Sequence, residues 1–362
     1  MRILHIMAGA DAGGISTVVL NFYRHIDREK FHFDIALTTD AIGKNAQEFL
    51  SLGCELFRLP LKSKDMKGFE RELQKLLING NYQAIHVHEN ETSYVALKIA
   101  KRCGIKKRLA HSHTTSPANT LKAELRRLTG CMLNRLYATD LIGCGQLAGE
   151  RVFGKRFLSS PKGAVLPNAI DLENFRFDAD VRAEVRKELG AAEQKVIGMV
   201  GRLSREKNYP FALQIMAQYR EVDPSALLAI AGNGEDEEEI RARIHELELE
   251  DNVRLLGRRA DVARLYMGFD VLLLPSLYEG FPVVGVEAIA AGLPVLLSDT
   301  ITPELKFSEG VQYLPLTSID PWLDALQSAE RCDKMAGYWE AKKNALDVRE
   351  TAEKLQQIYL GS

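Results

Sequence analysis

Residues 271–299, VLLLPSLYEGFPVVGVEAIAAGLPVLLSD, constrain the fold of this chain more than any other stretch. Residues 271–274 and 295–297 are continuous apolar runs of the kind a strand needs when both its faces are covered. Between them, residues 283–291 are apolar or glycine except Glu287, so a short helix here is greasy all round. Pro282 suits its first turn, and Gly292 followed by Pro294 stops it. The unit is therefore strand, buried helix, strand. A lone carboxylate on such a helix must have a partner. Glu279 lies eight positions earlier, in the loop that feeds the helix, and helical side chains lean toward their own N-terminus, so both carboxylates line one mouth. The free backbone N–H groups over residues 281–284 and the positive end of the helix dipole make that mouth suited to an anion, above all a phosphate.

The rest of the chain repeats this grammar. Apolar runs at 2–7, 32–37, 55–59, 84–88, 108–111 and 140–143 alternate with helical stretches, which predicts a parallel α/β sheet. A charged helical connector spans 179–189. The pattern then restarts at 196–200, 227–231, 253–256, the organising unit and 311–314. With 362 residues, two Rossmann-like halves fit best. The tail over 320–360 reads as helical, with breaks near Cys332 and Asp347.

Several classes are excluded. A net charge of −2 does not suit a general nucleic-acid binder. Five scattered cysteines without a CxxC pair suit reduced thiols in a cytosol. The N-terminal apolar run is too short for a secretory signal, and no run approaches a membrane-spanning length. Gly9, Gly13 and Gly14 miss the GxGxxG spacing, and no acid stands at the strand end where a ribose partner belongs, which disfavours dinucleotide binding.

The two glutamates separated by seven residues inside PSLYEGFPVVGVEA resemble the signature of retaining glycosyltransferases of the GT-B fold, family 4, the group 1 type found in bacterial polysaccharide synthesis. The resemblance runs over nearly the whole chain. GGISTVVLNFYR resembles the family's glycine loop and first helix; VGRLSREKN resembles its GRL…K motif; AVLPNAIDLENF resembles its PNGxD crossover, with Ala169 in place of the usual glycine. It implies two Rossmann-like domains facing across a cleft: 1–164 plus about 345–362 on the acceptor side, 165–344 on the nucleotide-sugar side, the last helix crossing back onto the N-terminal half. By the same resemblance Glu287 binds the donor ribose, Glu279 lies beside the donor sugar, and Arg202 and Lys207 hold the diphosphate. Gly13 and Gly14 would then face the donor, with Phe281, Pro282 and Val283 at the phosphates and Arg259 near the base.

Arg202 and Lys207 also read as a phosphate clamp on their own chemistry, since two cations meet at a strand's C-terminal edge. His113 corresponds to the N-domain histidine that reaches the sugar hydroxyls; His111 takes that role if the correspondence slips by two. The pairs His86/His88 and His111/His113 leave two other readings: a metallohydrolase site, or hydrogen-bonded core histidines. Asp178-Ala179-Asp180 is a DxD, the metal pattern of another glycosyltransferase fold, but it opens the connector helix and reads as a cap.

The activity expected is transfer of a sugar, with retention, from a nucleotide diphosphate sugar, commonly a UDP-sugar in this family, to an acceptor hydroxyl in cell-surface glycan assembly. No cofactor and no metal are expected. The alternatives are a GT-B sugar-nucleotide epimerase and a non-catalytic nucleotide-sugar binder. The expected partners are the donor and a glycan or lipid-linked glycan, with no nucleic acid. Between Lys98 and Arg135 stand ten basic residues and one acid, Glu124. Residues 120–136 can form a basic amphipathic helix, so a cytoplasmic protein peripheral on an anionic membrane is one reading, and a charged outer helix face is the other.

Overall fold

A computed structural model describes residues 1–10, 14–39, 43–116, 118, 120–331 and 335–361, leaving Gly13 and the expected break at Cys332 outside the described residues. The chain divides into two compact units, Met1–Ala169 with Val348–Ser362, and Ile170–Asp347.

Unit 1 alternates β1 (Arg2–Met7), α1 (Gly14–His25), β2 (His32–Leu37), α2 (Lys44–Ser51), β3 (Leu56–Arg58), α3 (Met66–Asn79), β4 (Ala84–Val87), α4 (Tyr94–Arg102), β5 (Lys107–Ser112), α5 (Leu121–Tyr137), β6 (Asp140–Gly143), α6 (Gln146–Phe153) and β7 (Gly163–Val165). Its parallel sheet has the order β3-β2-β1-β4-β5-β6-β7. The strand β7 carries no sequence signal: it is three half-buried residues at a sheet edge, inside the segment read as crossover.

Unit 2 runs α7 (Ala179–Leu189), β8 (Val196–Val200), α8 (Tyr209–Tyr219), β9 (Leu227–Ala231), α9 (Glu237–Glu246), β10 (Val253–Gly257), α10 (Val262–Gly268), β11 (Val271–Leu274), α11 (Val283–Ala290), β12 (Val295–Ser298), β13 (Val311–Leu314), α12 (Asp320–Ser328) and α13 (Ala336–Lys343). Its parallel sheet is ordered β10-β9-β8-β11-β12-β13. Asp178 caps α7, accepting the N–H groups of Asp180 and Val181 at 2.9 and 3.1 Å. The helix α11 is covered by α13 backbone to backbone, since a Cβ on Gly337 would lie 2.0 Å from the Ile289 carbonyl oxygen. The last helix, α14 (Val348–Leu360), belongs to unit 1, where Val348, Leu355 and Tyr359 join the core formed with α1.

Packing fixes the direction in which residues 120–136 turn their apolar side chains. Helix α5 turns Gly130 and Asn134 inward, and a Cβ on Gly130 would lie 2.4 Å from the Glu91 carbonyl oxygen. Leu121, Leu125, Leu128, Met132 and Leu136 are instead 51–92 % exposed. The apolar stripe thus faces outward rather than onto the sheet. No helix among the described residues is long and apolar enough to cross a membrane.

Candidate functional site

In unit 2 the strand order reverses between β8 and β11, and open parallel sheets bind ligands beyond the C-terminal ends of such a pair. The loops leaving these two strands are tied together. The Leu277 N–H donates to the Glu206 carbonyl at 2.8 Å, and the hydroxyls of Ser298 and Thr300, at the end of β12, hold the Ser276 carbonyl. This brings Lys207, on a 3-10 turn over Arg205–Lys207, to Glu279: Nζ lies 2.6 Å from Oε1. The Ser276 hydroxyl donates to the same oxygen at 2.8 Å. Both ionic side chains are about 15 % exposed, at 15 % and 14 %. The backbone makes room for them: a Cβ on Gly201 would lie 3.1 Å from Lys207 Cε, and one on Gly232 would lie 1.8 Å from the Gly201 carbonyl oxygen.

Glu287, on α11, is the second carboxylate. The Tyr266 hydroxyl donates to its Oε2 at 2.8 Å. Burial pushes its carboxyl up to about 7, against the opposing pull of that hydrogen bond and of the Lys207 charge. Lys207 therefore acts on both glutamates, ion-paired with one and within electrostatic reach of the other. Tyr266 was not singled out from the sequence. Its only signal there is a tyrosine on a helix that feeds β11, which is indistinguishable from core.

The amides at the start of α11 are fewer than expected. Pro282 is the N-cap residue and has no N–H, and the Val283 N–H closes on the Phe281 carbonyl at 2.9 Å. The Phe281 and Val284 N–H groups have no protein acceptor among the described residues. They remain the amides that can meet an anion.

Arg202 is not drawn to Lys207. Its guanidinium is 68 % exposed and pairs with Glu235 at 2.9 Å, in the acidic loop after β9. Arg259 is spent within its own surroundings, 2.8 Å from Asp261 and 2.7 Å from Glu188. Gly14 opens α1, and a Cβ there would meet nothing within 4 Å. An open cavity lies at the opposite, N-terminal edge of the unit 2 strands, lined by Arg182, Arg186, Lys195 and Asp270. Its arginines are committed to Asp270 at 2.5 and 2.9 Å, so it reads as a structural ion-pair cluster rather than as part of the chemistry.

His113, in unit 1, follows β5. Its N–H donates to Asn90 Oδ1 at 2.9 Å and its Nε2 lies 2.9 Å from His88 Nδ1. His111, inside β5, is fully buried and 3.2 Å from His86 Nε2 through Nδ1. Two overlapping triads, His5/His86/His88 and His88/His111/His113, bring one ring nitrogen of each member within 4.8 Å of the others. Burial pushes His5 and His113 down to about 3 and His86, His88 and His111 well below the usual imidazole range.

Two parallel Rossmann-like sheets, one of them reversing its strand order beside the carboxylates around Lys207, are the architecture of GT-B proteins. Comparison with known proteins agrees. Residues 12–174 match the model of Glycosyltransferase Family 4, and residues 181–343 match that of Glycosyl transferases group 1. A Bacillus subtilis protein, EpsF, named as a glycosyltransferase without a stated substrate, is 35 % identical over 336 residues, covering 91 % of this chain and 87 % of its own. The UDP-Gal:alpha-D-GlcNAc-diphosphoundecaprenol alpha-1,3-galactosyltransferase of Escherichia coli is 26 % identical, over 76 % of this chain and 74 % of its own. Among solved structures, Anabaena HepE in complex with UDP and glucose superposes with a TM-score of 0.79 at 18 % identity, covering 99 % of this chain and 98 % of that one. The chain belongs to the group 1 glycosyltransferases of family 4.

Proposed function

We propose that the protein transfers a sugar, with retention of anomeric configuration, from a UDP-sugar to a hydroxyl of a lipid-linked glycan during cell-surface polysaccharide assembly. The observation that carries the donor half is the placement of Lys207 between Glu279 and Glu287 at the reversal of the sheet. In this reading Glu287 accepts hydrogen bonds from the ribose hydroxyls. Lys207 and the Phe281 and Val284 N–H groups take up the charge that grows on the departing diphosphate, so no metal is required. Arg202 swings from its exposed pair with Glu235 to join them; water screens such a surface pair, which does not hold it back. Glu279 lies beside the donor sugar, and the family's pattern assigns His113, Gly13 and Gly14 to the donor as well.

The acceptor half is supported by relatives. The Escherichia coli enzyme is named for a UDP-Gal donor and a diphosphoundecaprenol-linked acceptor, and a Campylobacter jejuni relative, 31 % identical over 63 % of this chain and 62 % of its own, is named for a diphospho-undecaprenol-linked acceptor. An enzyme acting on such a lipid works at a membrane surface from the cytoplasmic side. The exposed stripe of α5, with Lys122 and Arg126 beside it, supplies the contact. The basic patch is smaller than the sequence promised: Lys107 is paired with Asp140 at 3.0 Å, the exposed Arg126 with Glu91 at 3.3 Å, Arg127 with Glu124, and Arg108 with backbone carbonyls. Apolar insertion therefore outweighs attraction to anionic headgroups. Five side chains moved from water into the interface gain on the order of 5 kcal/mol before the entropy of association.

Calorimetric titration of UDP into wild type and Glu287→Gln tests the donor half. Tight binding of UDP by wild type, weakened roughly ten-fold in the variant, is the expected result. Equal affinity in the two proteins contradicts the ribose role.

A further inference from the structure

Among the described residues, Glu287 receives one hydrogen bond, from the Tyr266 hydroxyl at 2.8 Å to Oε2. The phenol that delivers it is held in place. Its ring is fully buried on α10, 6.0 Å from the Phe175 ring and 6.1 Å from the Phe269 ring, the latter edge to face. The helix itself is clamped at its C-terminal end, where Arg331 Nη1 donates to the carbonyls of Tyr266, Met267 and Phe269. A phenylalanine would fill the same space between these rings. Packing therefore does not call for the oxygen.

Proton counting shows what the oxygen does. A phenol has one O–H, and two acceptors stand within its reach, Glu287 Oε2 at 2.8 Å and the Val284 carbonyl at 3.3 Å. With Glu287 ionised, the proton goes to the nearer, charged oxygen, which makes the stronger bond. With Glu287 neutral, the carboxyl gives its own proton to the phenol oxygen, and the phenol proton passes to the Val284 carbonyl. In both states Oε2 belongs to Tyr266. Oε1 takes no hydrogen bond from the described residues and is left for a ligand, for which the ionised form is the better acceptor. Burial, and after it the neighbouring carboxylate, push the phenol well above its ordinary range, so it keeps its proton wherever Glu287 titrates. Two titratable groups act on Glu287: Tyr266 from α10 and Lys207 from the turn after β8. Among the described residues α13, β11, β12 and the turn over Leu172–Phe175, which also pack on α11, bring none that acts on it.

We propose that Tyr266 is a positioning residue for Glu287: its hydroxyl occupies Oε2, favours the ionised carboxylate and leaves Oε1 as the acceptor for a ligand diol. That the diol is the donor ribose rests on the role given above to Glu287; the hold of Tyr266 on the carboxylate does not.

Tyr266→Phe keeps the ring and removes the proton. UDP is titrated into wild type and variant between about pH 6 and about pH 9.5, and the ratio of the two dissociation constants is followed, so that ionisation of UDP itself cancels. Losing a hydrogen bond to a charged group raises the midpoint of Glu287 by about one pH unit. The variant should therefore bind about ten-fold more weakly at the acid end and equally at the alkaline end. A 3-fluorotyrosine at position 266, a stronger donor of nearly the same shape, should move the ratio the other way. A ratio above one that is the same at every pH is what a merely structural tyrosine gives, and it overturns the proposal. So does a ratio of one throughout in a protein whose UDP binding is weakened by Glu287→Gln.

The free protein supplies a second readout. Melting temperatures of wild type against Glu287→Gln, and of Tyr266→Phe against the Tyr266→Phe, Glu287→Gln double variant, are compared over the same range. A raised carboxyl stabilises the fold at low pH, and the gain is lost as pH rises through its folded value, so in the Tyr266→Phe pair the loss should run on about one pH unit further. Identical curves for the two pairs overturn the hold on the carboxylate. A displaced curve, with UDP binding that ignores both Glu287→Gln and Tyr266→Phe, upholds that hold and contradicts the ribose role instead.

Discussion

Lys207 Nζ lies 2.6 Å from Glu279 Oε1, a contact across 72 positions of sequence that joins the loops leaving two adjacent strands. Removing one partner of a mostly buried pair leaves a charge in a low-dielectric place, which costs about 3–5 kcal/mol when fully buried and less here, where some water reaches both groups. Lys207→Ala should therefore lower thermal stability by roughly 2 kcal/mol, and it should lower kcat more than donor affinity. Arg202→Ala should leave the melting temperature unchanged, because its guanidinium is exposed, yet still lower kcat. Melting curves beside steady-state kinetics check both. Equal destabilisation by the two variants would contradict the difference in burial.

Glu287 makes the site sensitive to pH. Its carboxyl stands at about 7 in the folded protein against an ordinary value of 4.5, so its proton favours the folded state. The sign follows: this contribution to stability is complete below pH 4.5 and is lost as pH rises through 7, by an amount on the order of 3 kcal/mol. UDP binding through the ionised carboxylate runs the other way, tightening as pH rises to about 7 and levelling above it. UDP should raise the melting temperature more at pH 8 than at pH 6, and Glu287→Gln should abolish that difference. A wild-type shift independent of pH contradicts the role of the carboxylate.

The floor beneath Lys207 is built from backbone. A methyl group on Gly232 would stand 1.8 Å from the Gly201 carbonyl, an atom that cannot rotate away. Gly232→Ala should therefore destabilise unit 2 by about 1–3 kcal/mol through overpacking and loosen UDP binding with it. Denaturant titration checks the first effect. A variant as stable as wild type would mean that the two loops yield easily.

The stripe on α5 gives the fourth expectation. Replacing Leu121, Leu125 and Leu128 with serine should abolish sedimentation with anionic vesicles, while Lys122→Ala with Arg126→Ala should weaken it only at low salt. Because none of these residues packs on the core, folding should be unaffected. Wild type that stays in the supernatant with anionic vesicles contradicts the membrane contact.

How far these features could be read in advance follows from their physical origin. Strands buried on both faces are written as apolar runs, so β1, β2, β6, β8, β9, β11 and β13 stand where the runs do. The half-buried β7 has no such run. Glu287 was visible because one carboxylate interrupts an apolar helix. The partner of Lys207 was not, since an ion pair between residues 72 positions apart depends on which strands are neighbours. The same limit hid Tyr266, the commitment of Arg259 to Asp261 and Glu188, and the contacts of His86 and His5 with Tyr359 on the last helix. The direction of the α5 stripe was open because leucines at helical spacing look the same whether they face a sheet or water.

The central claim is transfer from a nucleotide sugar to a separate acceptor, and one reaction followed by proton NMR tests it most directly. The protein, in buffer containing EDTA, is mixed with a UDP-sugar and an undecaprenyl-diphosphate-linked sugar acceptor, and both UDP and the anomeric proton of the product are observed. The account predicts UDP release only when the acceptor is present, and a new glycosidic signal with the anomeric configuration of the donor. Release of free sugar without acceptor, a product of inverted configuration, or activity that EDTA abolishes and a divalent cation restores would contradict it.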